Sequence, residues 1–141
     1  MSIRKVKQED YEELMALYNG FVGEDRYSKH DNDSFEKVLG SPNNHIFVAE
    51  EDEKIIGFVT FSIRDVVRYP KPIAELDELF VGIPYQKKGV GHKLMEQVEK
   101  AAKKRNCYRM FIESAYRHES AHKFYEKLGY KNYGSHFIKN L

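Results

Sequence analysis

Three carboxylates on one short apolar stretch are the first residues here that invite chemistry. Glu75, Asp77 and Glu78 are interleaved with Leu76, Leu79, Phe80 and Val81, so residues 75–81 read as a strand carrying acids that can attract a cation or take a proton. Pro84 ends the strand, because proline has no N–H to give a ladder. Gln86, Lys87, Lys88, Gly89, Val90, Gly91 and His92 follow, and an amphipathic pattern begins at once. A strand-to-helix turn of this kind points free backbone N–H groups at one spot, and the helix dipole favours an anion there. Gly89 and Gly91 let a ligand approach the backbone, and Lys87 and Lys88 add mobile positive charge. Phosphate or pyrophosphate is the ligand such a turn would take; a plain glycine-bearing turn is the other reading of the same residues.

Two commoner phosphate motifs are excluded by inspection. A Walker loop needs Gly-Lys-Ser/Thr, but Gly89 and Gly91 are followed by Val90 and His92. A dinucleotide fingerprint needs a glycine at the position of Leu94. His118-Glu119-Ser120-Ala121-His122 satisfies the zinc-hydrolase spacing His-Glu-x-x-His. His118 is expected at the start of a helix rather than inside it, and no Asp or Glu follows Glu126 to act as a third ligand, so no metal site is assigned. Cys107 has no neighbour that argues for a thiolate, and a packing role at the start of a strand fits it better.

The elements that must position these groups can be read from periodicity. Strands are expected at 3–6, 45–50 with its neighbour 55–63, 75–81 and 108–114, with one long or two short strands at 130–138. Helices are expected at 8–22, where Tyr11, Leu14, Met15 and Tyr18 share a face, at 34–39, from Val90 onward, and at 119–128. Val90, Leu94, Val98, Ala101 and Ala102 form the buried stripe of the third helix, and Asn106 is its expected left-handed cap. Strand alternation puts Glu75, Asp77 and Leu79 on one face and Leu76, Glu78 and Phe80 on the other, unless a bulge intervenes. The polar stretch 24–33, with Tyr27 and His30, is expected as an exposed loop, either the wall of a binding site or an ordinary solvated loop. Strand 75–81, its helix and strand 108–114 make a βαβ unit, while the hairpins around it are antiparallel. An α/β fold follows, with a mixed, mostly antiparallel central sheet, helices on both faces and one parallel pair.

Bulk properties narrow the partners. A chain of 141 residues suits one domain, 1–141, and a formal net charge of +1 gives no bias toward nucleic acid or an anionic membrane. Lys5, Lys7 and Glu9 interrupt any leader-like apolar run, and no stretch approaches the ~18–20 apolar residues of a membrane helix. A lone cysteine excludes an internal disulfide and fits a reducing cytoplasm.

Two motifs together resemble one family. Gln86-x-x-Gly89-x-Gly91, after a strand ending Leu79-Phe80-Val81, is similar to the acyl-CoA-binding motif of the GNAT N-acetyltransferase superfamily. Ala121-His122-Lys123-Phe124-Tyr125-Glu126-Lys127-Leu128-Gly129-Tyr130 resembles that family's second signature, and the element order agrees. The resemblance implies acetyl transfer from acetyl-CoA to a primary amine by direct attack in a ternary complex. It implies that the backbones of Leu79, Phe80 and Val81 bind the pantetheine arm. The amides of Gln86, Lys87, Lys88, Gly89, Val90 and Gly91, with His92, would hold the pyrophosphate. Tyr125 would be the general acid at the thioester sulfur, and a strand carboxylate the base, Asp77 before Glu75. The family often has asparagine seven residues before that tyrosine; here the position is His118, which puts that pantetheine contact in doubt. A zinc-dependent hydrolase and a non-catalytic CoA-binding domain are the alternatives. The acceptor stays open among small-molecule, peptide and protein amines, and a homodimer is one of the assemblies left open.

Overall fold

The computed structural model describes residues 1–23, 33–114 and 118–141. The expected acceptor-side stretch with Tyr27 and His30 lies outside the described residues, except that Asp33 begins a helix. The chain divides into two compact units, Met1–Phe111 and Ile112–Leu141.

The first unit holds β1 (Ser2–Lys5), a 3-10 turn (Gln8–Asp10), α1 (Tyr11–Val22), α2 (Asp33–Gly40), β2 (Asn44–Glu51), β3 (Lys54–Arg64), β4 (Ile73–Val81) and α3 (Val90–Lys104). It also holds all but the last residue of β5 (Met110–Ile112). The strands lie in chain order in one sheet. The first three pairings are antiparallel. The β2–β3 turn is tight because Asp52 and Glu53 both take left-handed backbone, φ 50° and 60°, which matches the strand twist. On the other side of β4, the Tyr108 N–H donates to the Pro72 carbonyl at 2.7 Å and the Ala74 N–H to the Arg109 carbonyl at 3.0 Å. Both chains advance together through these bonds, so β4 and β5 are the parallel pair, with α3 as the crossover between them.

Side-chain alternation sorts the core into two layers. Ile46, Val48 and Phe58 pack with Leu14 of α1 and Phe35 of α2. Their strand neighbours Phe47 and Val59 are also buried and point to the opposite face. There α3 packs on β2, β3 and β4, burying Val90, Leu94, Met95, Val98 and Ala102. Met95 extends the expected stripe, and Asn106 takes the expected left-handed cap at φ 58°.

One ion network ties β1 to the start of α1. Arg4 makes a two-pronged contact with Asp10, Nη1 to Oδ2 at 2.7 Å and Nη2 to Oδ1 at 3.0 Å, and its Nε donates to Glu50 at 2.9 Å. The Lys7 N–H also donates to Asp10, at 2.7 Å. The Arg4 hydrogen bonds hold the buried Asp10 carboxyl below the usual carboxylate range, against the opposing effect of burial. A lowered carboxylate pKa adds stability that is complete above the unfolded value, ~3.9, and is lost as pH falls through the folded value. Asp10→Asn is therefore expected to cost about 2–3 kcal/mol at pH 7, and less at pH ~3, in urea unfolding. An equal deficit at both pH values would contradict this.

The second unit contains α4 (Glu119–Lys127) and a terminal stretch. Residues 130–138 were expected as one or two strands, and the structure corrects this: residues 130–141 carry no regular element. Tyr133, Phe137 and Ile138 are 88%, 91% and 78% exposed. Their apolar spacing suits a strand, but a strand needs a ladder partner and a buried face, and neither is present among the described residues. Likewise β5 covers three residues, fewer than the expected 108–114.

Candidate functional site

The geometry of the site begins with a bulge in β4. The β3–β4 register pairs Gly57, Phe58, Val59 and Thr60 with Val81, Phe80, Leu79 and Glu78, then steps to Phe61 opposite Leu76 and Ser62 opposite Glu75. Asp77 is the extra residue that the register steps over. The bulge corrects the expected facing. Glu75 and Glu78 stand opposite Ser62 and Thr60, two residues apart on β3 and on one face. Leu76 and Leu79 stand opposite Phe61 and Val59 on the other. Leu76 and Leu79 are spaced by three; strict alternation would split them, and that spacing was the available sign of a bulge.

Glu78 thereby faces α1, in the layer of Phe58. The Tyr18 hydroxyl on α1 donates to Glu78 Oε2 at 2.5 Å, and Thr60 Oγ1 on β3 donates to the same oxygen at 2.7 Å. The Tyr18 ring lies 4.4 Å from the buried ring of Phe58. A cavity opens here, lined by Tyr18, Val38, Ile46, Thr60, Asp77 and Glu78, among others. Two carboxylates on a wall that also carries Asn44, His45 and Thr60 suit a cationic group. Asp77 lines this cavity and is exposed, and Glu75 accepts from Arg64 Nη2 at 3.1 Å. Glu78 was read from sequence only as a strand residue on the other face.

The turn after β4 is closely tied to it. The Gly82 N–H donates to the Ile56 carbonyl at 2.8 Å, and a 3-10 turn at Ile83–Tyr85 follows. The Gln86 side-chain amide donates to the Val81 carbonyl at 2.9 Å, which anchors the loop to the strand end. Lys87 and Gly89 take left-handed backbone, φ 61° and 83°. The Lys93 N–H to Gly89 carbonyl bond, 3.1 Å, closes the first turn of α3, so the N–H groups of Val90, Gly91 and His92 precede the helical ladder. The Lys88 ammonium lies 5.8 Å over the Tyr85 ring, and His92 Nε2 is 3.2 Å from Glu96, one turn along α3. Gly57 lets the backbone of β4 approach: a Cβ there would lie 2.9 Å from the Phe80 carbonyl oxygen.

In the second unit, His118 caps α4 at its N-terminus, and its carbonyl accepts the His122 N–H at 3.0 Å. The two histidines therefore do not share a helical stretch, and among the described residues no three metal-ligating side chains gather. The helix ends in a Schellman motif: the Tyr130 N–H donates to the Tyr125 carbonyl at 3.1 Å and the Gly129 N–H to Glu126 at 3.0 Å, with Gly129 at φ 93°. Tyr125 contacts Phe124 and Tyr130 edge-on at ring distances of 5.5 and 6.2 Å. Burial pushes its phenol up to about 12. Burial also raises the Cys107 thiol, more than nearby Arg105 lowers it, which argues against a cysteine nucleophile.

Comparison with known proteins gives a consistent result. The profile of the acetyltransferase (GNAT) family matches residues 8–130. The chain is 24% identical to the aminoalkylphosphonate N-acetyltransferase of Salmonella typhimurium, over 99% of this chain and 90% of that protein. It is 26% identical to MJ1207, an uncharacterized N-acetyltransferase of Methanocaldococcus jannaschii, over 92% of this chain; it spans 60% of that relative's length. Among solved structures, the aminoglycoside N-acetyltransferase AAC(6')-Iy in complex with CoA superposes with a TM-score of 0.83 at 21% identity, covering 99% of this chain and 98% of that one. That likeness concerns the fold.

Proposed function

The chain belongs to the acetyltransferase (GNAT) family, and from that premise we propose that it moves an acetyl group from acetyl-CoA to a primary amine by direct attack, with Glu78 as the base. It is an acetyl-CoA-dependent N-acetyltransferase of mixed α/β fold. The single observation that carries the assignment of the base is the convergence of the Tyr18 and Thr60 hydroxyls on Glu78 at the β4 bulge. The family profile crosses the boundary between the two units, which supports reading 1–141 as one working domain.

Each step draws on named groups. An alkyl ammonium, pKa ~10, must lose a proton before or during attack, and Glu78 takes it and passes it to water. Asp77, first in the sequence reading, and Glu75 draw the cation in and remain secondary candidates for the base. The backbones of Leu79, Phe80 and Val81 hold the pantetheine arm and polarise the thioester carbonyl. The amides from Gln86 through Gly91, with His92, seat the pyrophosphate, with Lys87 and Lys88 nearby. Tyr125 donates to the departing thiolate, and His118 takes the place of the family's asparagine beside the pantetheine. A cytoplasmic location is proposed from the single cysteine, which fits a reducing compartment. A homodimer is the assembly proposed, with no nucleic-acid partner.

The acceptor is a small cationic amine, on the evidence of the carboxylate-lined cavity. Incubating the protein with acetyl-CoA and a panel of 2-aminoethylphosphonate, sisomicin, spermidine, tyramine and a free-N-terminus peptide tests this. Free thiol should appear with at least one amine. CoA binding without thiol release across the panel would favour the non-catalytic alternative.

A further inference from the structure

We propose that Tyr18 and Thr60 are positioning residues that present Oε1 of Glu78 to the acceptor amine, an inference that rests on Glu78 being the base. Both hydroxyls donate to one oxygen, Oε2, at 2.5 and 2.7 Å. Among the described residues no hydrogen bond ends on Oε1. An oxygen already accepting two O–H donors is the poorer acceptor of a third proton, so the ammonium proton goes to Oε1. The N–H bond breaks, its electron pair stays on nitrogen for attack on the thioester carbon, and the proton passes from Oε1 to water.

The two donors come from different elements and are themselves held. Thr60 is 8% exposed on β3, and the Tyr18 ring is packed against Phe58, which is fully buried. A glutamate on a strand has three rotatable bonds, and fixing the carboxylate by one oxygen removes most of that freedom. The bulge at Asp77 supplies the rest, because it turns the Glu78 side chain toward α1. Three elements thus meet on one oxygen atom, and a helix, a strand and a register shift must all be intact to hold the Glu78 carboxylate in this orientation at the cavity wall.

The test is a set of steady-state measurements with saturating acetyl-CoA and the fastest amine of the panel above. Tyr18→Phe and Thr60→Val should each lower kcat by about 10-fold while leaving the KM for acetyl-CoA within about twofold. Thr60→Ser, which keeps the hydroxyl, should stay within about twofold of the unaltered protein. In a Glu78→Gln background neither substitution should lower the residual rate further, because their effect passes through the carboxylate. Unchanged kcat in Tyr18→Phe and Thr60→Val would overturn the inference, and so would equal fractional losses in the Glu78→Gln background, which mark a structural effect. A Glu78→Gln protein as fast as the unaltered one would instead remove the base assignment itself, and the inference with it.

Discussion

Glu78→Gln is expected to lower kcat at pH 7 by about 10²–10⁴-fold, with the KM for acetyl-CoA little changed. The substitution is nearly isosteric, and the amide oxygen still accepts from Tyr18 and Thr60, so the bulge and the α1 contact survive. What is lost is the carboxylate proposed to carry away the ammonium proton. At pH 7 only about one part in 10³ of an amine with pKa ~10 is neutral. The variant must wait for that fraction, so its rate should climb about tenfold per pH unit toward pH ~9, narrowing the gap to the unaltered enzyme. A variant as fast as the unaltered protein at pH 7 would mean that Glu78 is not the base. A large loss in Asp77→Asn with none in Glu78→Gln would return the role to Asp77.

Tyr125→Phe is expected to lower kcat by about 10–10²-fold without weakening acetyl-CoA binding. The magnitude follows from what a phenol held at about 12 can do. It is too weak an acid to give its proton outright to a thiolate whose conjugate acid has a pKa of ~8.5, so it stabilises the departing charge through one charge-assisted hydrogen bond, about 1.5–3 kcal/mol. The sign of the pH dependence is also set. The phenol donates while protonated, and its raised pKa keeps it protonated up to about pH 12, so Tyr125 should impose no alkaline fall in rate below about pH 11. An alkaline limb near pH 10 that disappears in Tyr125→Phe would contradict the environment described for this side chain.

Much of the arrangement was legible in the residues because it depends on local chemistry. Asn106 marks left-handed backbone at the end of α3, and Gly129 marks the end of α4; each is where the structure puts it. The order of strands and helices, with its one βαβ unit, implies a sheet covered on both faces, and α1, α2 and α3 provide the cover. What was not legible depends on pairing between distant segments. Whether Asp77 joins the ladder is decided by how β3 aligns with β4, and one extra residue there moves Glu78 onto the face of Glu75. Tyr18 and Glu78 are 60 residues apart in the chain, so no spacing rule could connect them. At the other end, Tyr133, Phe137 and Ile138 carry strand-forming side chains, yet sequence pattern cannot supply the ladder partner that a strand requires.

The reading of the β4–α3 turn and its strand as the seat of a thioester donor is tested most directly by titrating the protein with acetyl-CoA in a calorimeter. Saturable heat with about one acetyl-CoA per chain, at micromolar concentrations, is the predicted result. No measurable heat up to high micromolar acetyl-CoA would contradict the account.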